Sequence, residues 1–209
     1  MSSMRVLITC GPTWVPIDDV RVLSNTSSGE MGHLIAQSFI AHGAKVTLLE
    51  GQVTHLWHGK SVKVVKFRFF DELEKILKCE LKKKYDCVVH AAAVSDFKLK
   101  EKFQGKMKSD VGKASSLSLQ LVPTEKIINQ IKNINPRVVL VGFKLEPDLR
   151  GKRLMLETRK LFENAHCDVV VANSLEGGYK GFVVDAKGNV LAQALNKKVL
   201  AKSLVKLLI

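Results

Sequence analysis

Apolar residues follow two spacings along this chain. Short unbroken runs, RVLITC (5–10), KVTLLE (45–50), VKVVKF (62–67), DCVVHAAA (86–93), RVVLVGF (137–143) and DVVVAN (168–173), predict buried strands. Between them lie segments with helical spacing. Residues 30–42 place Met31, Leu34, Ile35 and Phe39 on one side and stop at Gly43, and residues 71–84 do the same with Leu73, Ile76, Leu77 and Leu81. Helices are also predicted over 124–134, with Thr124 as N-cap, over 148–165 and over 197–209. Residues 181–193 read as a hairpin turning at 186–189. Strands alternating with helices, and strands apolar on both faces, predict an α/β fold. Its mostly parallel central sheet is covered by helices on both sides.

One stretch has no clean period. Residues 97–116 are polar and lysine-rich, contain Gly105 and Gly112, and predict a flap; a loop of that length is usually functional. The whole chain, 1–209, reads as one domain with this flap, without internal repeats.

Composition narrows the class. With 46% hydrophobic residues among 209, the chain can bury a core, and no apolar run reaches the roughly 20 residues that span a bilayer. The N-terminus enters a strand directly and lacks the regions of a signal peptide, so a cytoplasmic location is expected. Cys10, Cys79, Cys87 and Cys167 show no CxxC spacing and read as buried reduced thiols. The six histidines form no metal motif, so no metal ligands are assigned. The net charge of +13 suits an anionic partner, either a phosphorylated small molecule or nucleic acid. No zinc finger, RNA-recognition signature or arginine-rich arm accompanies the scattered lysines, which disfavours nucleic acid.

The first βαβ unit carries the candidate chemistry. Ligands of parallel sheets sit outside the carboxyl ends of the strands. The first strand ends at Gly11, and the following helix starts near Ser27-Ser28-Gly29, where free N–H groups and the positive end of the helix dipole suit a phosphate. Ser27 or Ser28 could instead merely cap the helix. A nicotinamide-dinucleotide reductase is one reading, with Glu50 on the ribose hydroxyls. However, Gly11, Gly29 and Gly32 do not make GxGxxG, and no Tyr-x-x-x-Lys pair follows HAAAVSDF. Glu50 reads otherwise as a solvated strand-end residue.

The segments ITCGPTWVPIDDVRVLSNTSSGEMG (8–32), AAAVSDF (91–97), GKMKSD (105–110), LVGFKLE (140–146) and DVVVAN (168–173) together resemble the phosphopantothenate–cysteine ligase family of coenzyme A biosynthesis, in the family's order and over nearly the whole chain. The resemblance implies a Rossmann-like three-layer sandwich, usually dimeric. It implies an enzyme that joins 4′-phosphopantothenate to cysteine through an acyl nucleotidylate, using a nucleoside triphosphate (CTP favoured over ATP) with Mg²⁺. It also implies that Asn25 donates to the acyl oxygen and that Lys106, assisted by Lys108, meets the triphosphate. Gly11, Ser27, Ser28 and Gly29 would hold phosphate. Ala92, Ala93, Asp96, Glu125, Lys126, Ile127, Ile128, Phe143 and Lys160 would bind the nucleotide. Several positions depart from the pattern: Glu30 replaces a lysine, Ser109 replaces the third lysine of Lys-x-Lys-Lys, Asn164 replaces a second phosphate lysine, Glu125-Lys126 replaces Pro-Asp, and Lys144-Leu145 replaces Ala-Ala, where Lys144 offers extra charge. The short lead before Met4 implies the stand-alone form, without a flavin-dependent decarboxylase.

Overall fold

The apolar runs pair as parallel strands, and the periodic segments between them cover both faces as helices. The computed structural model describes residues 3–54, 57, 59, 62–107, 117–147, 149 and 151–209. In chain order these form β1 (Arg5–Cys10), β2 (Trp14–Pro16), β3 (Val22–Ser24), α1 (Glu30–Ala41), β4 (Lys45–Glu50), β5 (Val62–Lys66) and α2 (Phe70–Leu81). There follow β6 (Cys87–His90), β7 (Phe97–Leu99), β8 (Leu121–Pro123), α3 (Ile128–Ile134), β9 (Val139–Leu145), α4 (Gly151–Ala165), β10 (Val169–Ser174), β11 (Lys180–Asp185), β12 (Val190–Ala194) and α5 (Lys197–Leu208).

The main sheet has the order β12-β11-β10-β9-β6-β1-β4-β5. Its β5-to-β10 portion is parallel, and β11 and β12 extend it antiparallel as a hairpin. Connections run outward in both directions from β1 and β6, which makes the gap between these two strands the topological switch point.

Alternation along each strand feeds two cores. Val6 and Ile8 of β1 pack under α1 (Ile35, Ala36, Phe39) and α5 (Leu200, Ala201, Leu204, Val205). Leu7, on the opposite face, packs with α2 (Leu73, Leu77, Leu81) and α3 (Ile128, Ile131). Each fully buried aliphatic side chain contributes about 1.5–3 kcal/mol, so these two layers fix the sheet between its helices.

Several expectations are corrected. The insert after β1 holds a two-stranded hairpin, β2–β3; the first residues of the predicted flap form β7, which pairs with β8 beyond the flap, and residues 108–116 of the flap lie outside the described residues. The two hairpins share a small core of Val15, Ile17 and Leu99. The third helix starts at Ile128 instead of Thr124. The Thr124 hydroxyl donates to the Ser95 carbonyl at 2.7 Å and its N–H to the Asp96 carbonyl at 2.9 Å, so it ties a loop and caps nothing. Cys79 is exposed, whereas Cys10, Cys87 and Cys167 are buried. Lys108 and Ser109 lie outside the described residues.

Two buried groups, one carboxyl and one imidazole, contribute to the response to acid. Burial pushes the Glu80 carboxyl up, but hydrogen bonds from Lys83, Tyr85 and Lys63 outweigh it and leave the group at about 2. Burial alone lowers His90 to about 4. Both native values lie below the ordinary ones, 4.5 for Glu80 and 6.5 for His90. Each group therefore contributes stability that is complete above its ordinary value and is lost as pH falls toward its native value. The melting temperature is expected to fall in two stages, the first between about 6.5 and 4 and the second between about 4.5 and 2. His90→Asn should remove the first stage in a melting series; a melting temperature that stays flat from about pH 6.5 to 4 would contradict the His90 assignment, and one that stays flat from about pH 4.5 to 2 the Glu80 assignment.

Candidate active site

A cleft of about 760 Å³ opens at the carboxyl ends of β6, β9 and β10, beside the switch point. Its first wall is the start of α1. After Cys10 the chain leaves through the β2–β3 hairpin and returns at Asn25. Gly29 then sits at the N-cap in the left-handed region, with φ +75°, and its side-chain-free face lies against Val53. No side chain caps the first turn of α1, although the Ser28 hydroxyl accepts weakly from the Glu30 N–H at 3.4 Å. The reading of Ser27 or Ser28 as a simple N-cap is therefore replaced by a glycine cap. Ser27, Ser28 and Gly29 all line the cleft.

The second wall, Ala91 to Asp96, follows β6 and is tied down from both sides. The Ser95 N–H donates to Thr13 Oγ1 at 2.9 Å, and Thr124 holds the Ser95 and Asp96 carbonyls. Asn25 crosses to this wall. Its Nδ2 donates to the carbonyls of Ala93 and Val94 at 3.2 and 3.3 Å. Two carbonyls can only accept, so the amide orientation is set by chemistry and Oδ1 remains as the free acceptor. The expected role of Asn25 as a donor to an acyl oxygen is thereby changed: its protons are committed to backbone.

Glu125, Lys126, Ile127 and Ile128 form a third wall, and Phe143, Lys144 and Leu145 at the end of β9 a fourth. Lys160 of α4 completes the assembly with Glu157, whose carboxylate holds Lys160 at 2.6 Å and Lys144 at 3.1 Å. Asp96 pairs with Lys126, and Glu30 pairs with Lys197 at 2.6 Å. Four lysines (Lys126, Lys144, Lys160, Lys197) thus face four carboxylates (Glu30, Asp96, Glu125, Glu157), and the lining is charge-balanced.

Two predicted residues lie elsewhere. Gly11 adopts φ +80° behind the wall, packed on Val53 and Gly51. Lys106 is exposed and does not line this chain's cleft. Its neighbours are pinned to the hairpin turn. Gly105 and Asp19 exchange hydrogen bonds at 3.1 and 3.2 Å, and the Met107 N–H donates to Asp18 at 3.1 Å. Asp18 is buried, but hydrogen bonds from Val20, Arg21 and Met107 hold its carboxyl well below the usual range.

Glu50 is not solvated. It is fully buried, accepts from His33 at 2.5 Å and pairs with Lys66. That removes it as a ribose ligand, and with it the residue on which the reductase reading relied. Cys10, His33 and Glu50 bring ligand atoms within 4.8 Å of one another. Burial pushes the Cys10 thiol up to about 12, and Glu50 is already neutralised by its partners, so the cluster is a packed polar core.

Sequence spacing did not mark Asn173, Tyr179 or Lys197, which also line the cleft. Among the described residues, Asn173 Oδ1 and the Tyr179 hydroxyl are buried side-chain atoms without a partner. Only the folded coordinates could reveal them, because the signal is a missing partner.

A switch-point cleft with an open helix start, small-residue walls and paired lysines defines an α/β protein with a candidate site for a phosphorylated ligand. Comparison identifies which one: residues 1–207 match the family model "DNA/pantothenate metabolism flavoprotein C-terminal domain", and the chain belongs to that family. It is similar to the coenzyme A biosynthesis bifunctional protein CoaBC of Thermococcus kodakarensis, 41% identical over 179 residues, 84% of this chain and 42% of that protein. The chain spans about half or less of the length of such curated relatives. Among solved structures it resembles the C-terminal domain of a CoaBC protein, with 25% identity, a TM-score of 0.79, and coverage of 99% of this chain and 94% of that one. A Cab2 mutant in complex with phosphopantothenate-cysteine shares the fold, with 18% identity, a TM-score of 0.75, and coverage of 98% and 85%. Among the described residues no helix is long and apolar enough to cross a membrane.

Proposed function

We propose that this chain is a phosphopantothenate–cysteine ligase that activates a carboxylate with a nucleoside triphosphate, CTP in preference to ATP. The observation that carries this reading is the convergence of Asn25, Ser27–Gly29, Ala92, Ala93, Asp96, residues 125–128, Phe143 and Lys160 on one cleft, in a chain of this family. The solved relative that holds phosphopantothenate-cysteine supports the substrate assignment.

In the first step a carboxylate oxygen of 4′-phosphopantothenate attacks the α-phosphorus. A new P–O bond forms, the bond to the β-phosphate oxygen breaks, and pyrophosphate leaves. The cysteine amine then attacks the acyl carbon, a C–N bond forms, the C–O bond to phosphorus breaks, and the nucleoside monophosphate leaves with the electron pair. Asn25 serves both steps. Its protons hold the Ala93–Val94 wall, and its Oδ1 would be left as an acceptor for the incoming amine. Asn173 Oδ1 offers an acceptor to an exocyclic amino group, which cytosine and adenine carry on the ring where uracil has a carbonyl.

A charge-balanced cleft cannot by itself neutralise a triphosphate. Mg²⁺ fits this demand: it takes oxygen ligands, mostly from phosphates, and Asp96 and Glu125 are the oxygen donors at the rim that would share it. When bound, it screens the phosphate charge. Lys106 supplies further positive charge from outside this chain's cleft. We place it over the site of a second copy in a homodimer, because the hairpins that pin it also expose Val20, Val22, Leu23, Phe97 and Leu121. The protein would act as a soluble cytoplasmic enzyme, with residues 1–209 folding as one domain.

Pyrophosphate release should require both phosphopantothenate and CTP or ATP, and cysteine should appear in an amide product by mass spectrometry. Release with neither nucleotide would sink the reading. Lys106→Gln should cut turnover by about 30-fold or more, roughly 2 kcal/mol. Mixing it with an Asn25 variant should restore part of the activity, since mixed dimers contain an intact site. Absence of that recovery would remove the shared-site arrangement.

A further inference from the structure

The Glu30–Lys197 pair and the nearby Tyr179 hydroxyl form a group that the mechanism above does not use. Lys197 is the first residue of α5, and Asn196 caps that helix by accepting from the Val199 N–H at 2.8 Å. The first turn of α5 has two lysines, Lys197 and Lys198, and no acidic residue. A cation there opposes the helix dipole, a local cost of some tenths of a kcal/mol. Such a violation of local preference in a cleft wall is where function is expected. α5 is packed on the sheet through Leu200, Ala201 and Leu204, in the same core as α1, so the Lys197 backbone is fixed opposite the start of α1.

From there its ammonium reaches Glu30 Oε2 at 2.6 Å. Both side chains line the cleft next to Ser28 and Gly29. The chain thus carries a carboxylate on α1 and brings a cation to the same spot from α5, more than 160 residues away. Tyr179 is also in this wall. Its hydroxyl has no partner, and burial together with the Glu30 charge pushes its phenol upward, so it stays a proton donor.

We infer that Lys197 contacts the anionic chain of the nucleotide, that Glu30 positions it there, and that Tyr179 is the donor for Glu30 once the ammonium is shared with the anion. An ammonium has three N–H donors, so it can hold Glu30 and a phosphate oxygen together. The carboxylate then loses part of its neutralisation, and the idle hydroxyl beside it makes good the loss. This inference rests on the ligase reading only for the identity of the nucleotide.

The test is calorimetric titration of the full chain with CTP and, separately, inorganic tripolyphosphate. Melting curves of every variant accompany it. Lys197→Gln should weaken both ligands about tenfold, and Lys197→Glu more. The exchanged pair Glu30→Lys with Lys197→Glu should recover to within about threefold of wild type, since the cation is then on α1. Tyr179→Phe should weaken binding about threefold to fivefold while the ligand-free melting temperature stays level or rises, because an unpaired buried hydroxyl is removed. A residue that merely supports the fold would do the opposite. Binding within twofold of wild type for Lys197→Gln, or an exchanged pair as weak as Lys197→Glu, overturns the inference while leaving the ligase reading intact. Tripolyphosphate binding that depends on Lys197, with no CTP or ATP binding by wild type, would support the anion contact and sink the ligase reading.

Discussion

Asn25→Asp should lower turnover on the order of a hundredfold or more without unfolding the protein. The Asn25 amide protons bridge to the carbonyls of Ala93 and Val94. A carboxylate has no protons to give, so the substitution replaces two hydrogen bonds by three oxygens facing one another. Both bonds are solvent-exposed, so their loss costs little global stability; displacing the wall and Oδ1 from the reacting groups is what raises the barrier, and a hundredfold corresponds to about 2.7 kcal/mol. Asn25 is exposed and packs against no core, so global stability should hardly change. The two half-reactions are predicted to separate. Some pyrophosphate should still be released in a burst, because the phosphate cradle we propose, Ser27–Gly29, is untouched by the substitution. Amide formation should stall, because both the wall and the acceptor Oδ1 are disturbed. Stopped-time pyrophosphate and product assays read the two steps, and unimpaired amide formation would remove Asn25 from the chemistry.

Gly29→Ala should damage both fold and site. The added methyl would lie 2.3 Å from Val53 Cγ1, and the residue must also keep φ +75°. The left-handed conformation costs about 1–2 kcal/mol for a residue with a Cβ, and overpacking about 1–3 kcal/mol more. Together these predict a fall in melting temperature of about 4–20 °C for a chain of this size. Nucleotide affinity should fall as the start of α1 is displaced. The two costs can be separated. Val53→Ala in the same chain relieves the collision but not the backbone strain, so the double variant should recover part of the melting temperature. Full recovery would show that the conformation carries no cost, and no recovery that Val53 is not the obstacle.

Most of the scaffold was legible from residue pattern. The strands that became β1, β4, β6, β9 and β10 are continuous apolar runs because both sheet faces are covered, and the intervening helices show their buried stripes directly. The small hairpins were not legible. The β2–β3 strands are three residues long with a proline and paired aspartates, too short to show a period, and they hold together through Val15 and Ile17 meeting Leu99 from another segment. The start of α3 was misplaced because Thr124 had two possible uses, and the loop at Ser95–Asp96, distant in sequence, claimed it. Glu50 looked like a strand end facing water until His33 and Lys66 closed over it.

The site divides in the same way. Residue types and spacing, with the family resemblance they carry, determined the α/β scaffold, the glycine turn that opens α1 and the segments that line one cleft, because periodicity and small-residue turns are local properties. Only the tertiary structure decided which side of the Asn25 amide is free, that Lys106 is absent from its own chain's cleft, that Lys197 meets Glu30 in the cleft wall, and that the Tyr179 hydroxyl is left without a partner. Each of these is a relation between groups far apart in the chain. Such relations depend on which donors and charges remain unsatisfied after packing, a quantity that does not exist before the chain has folded.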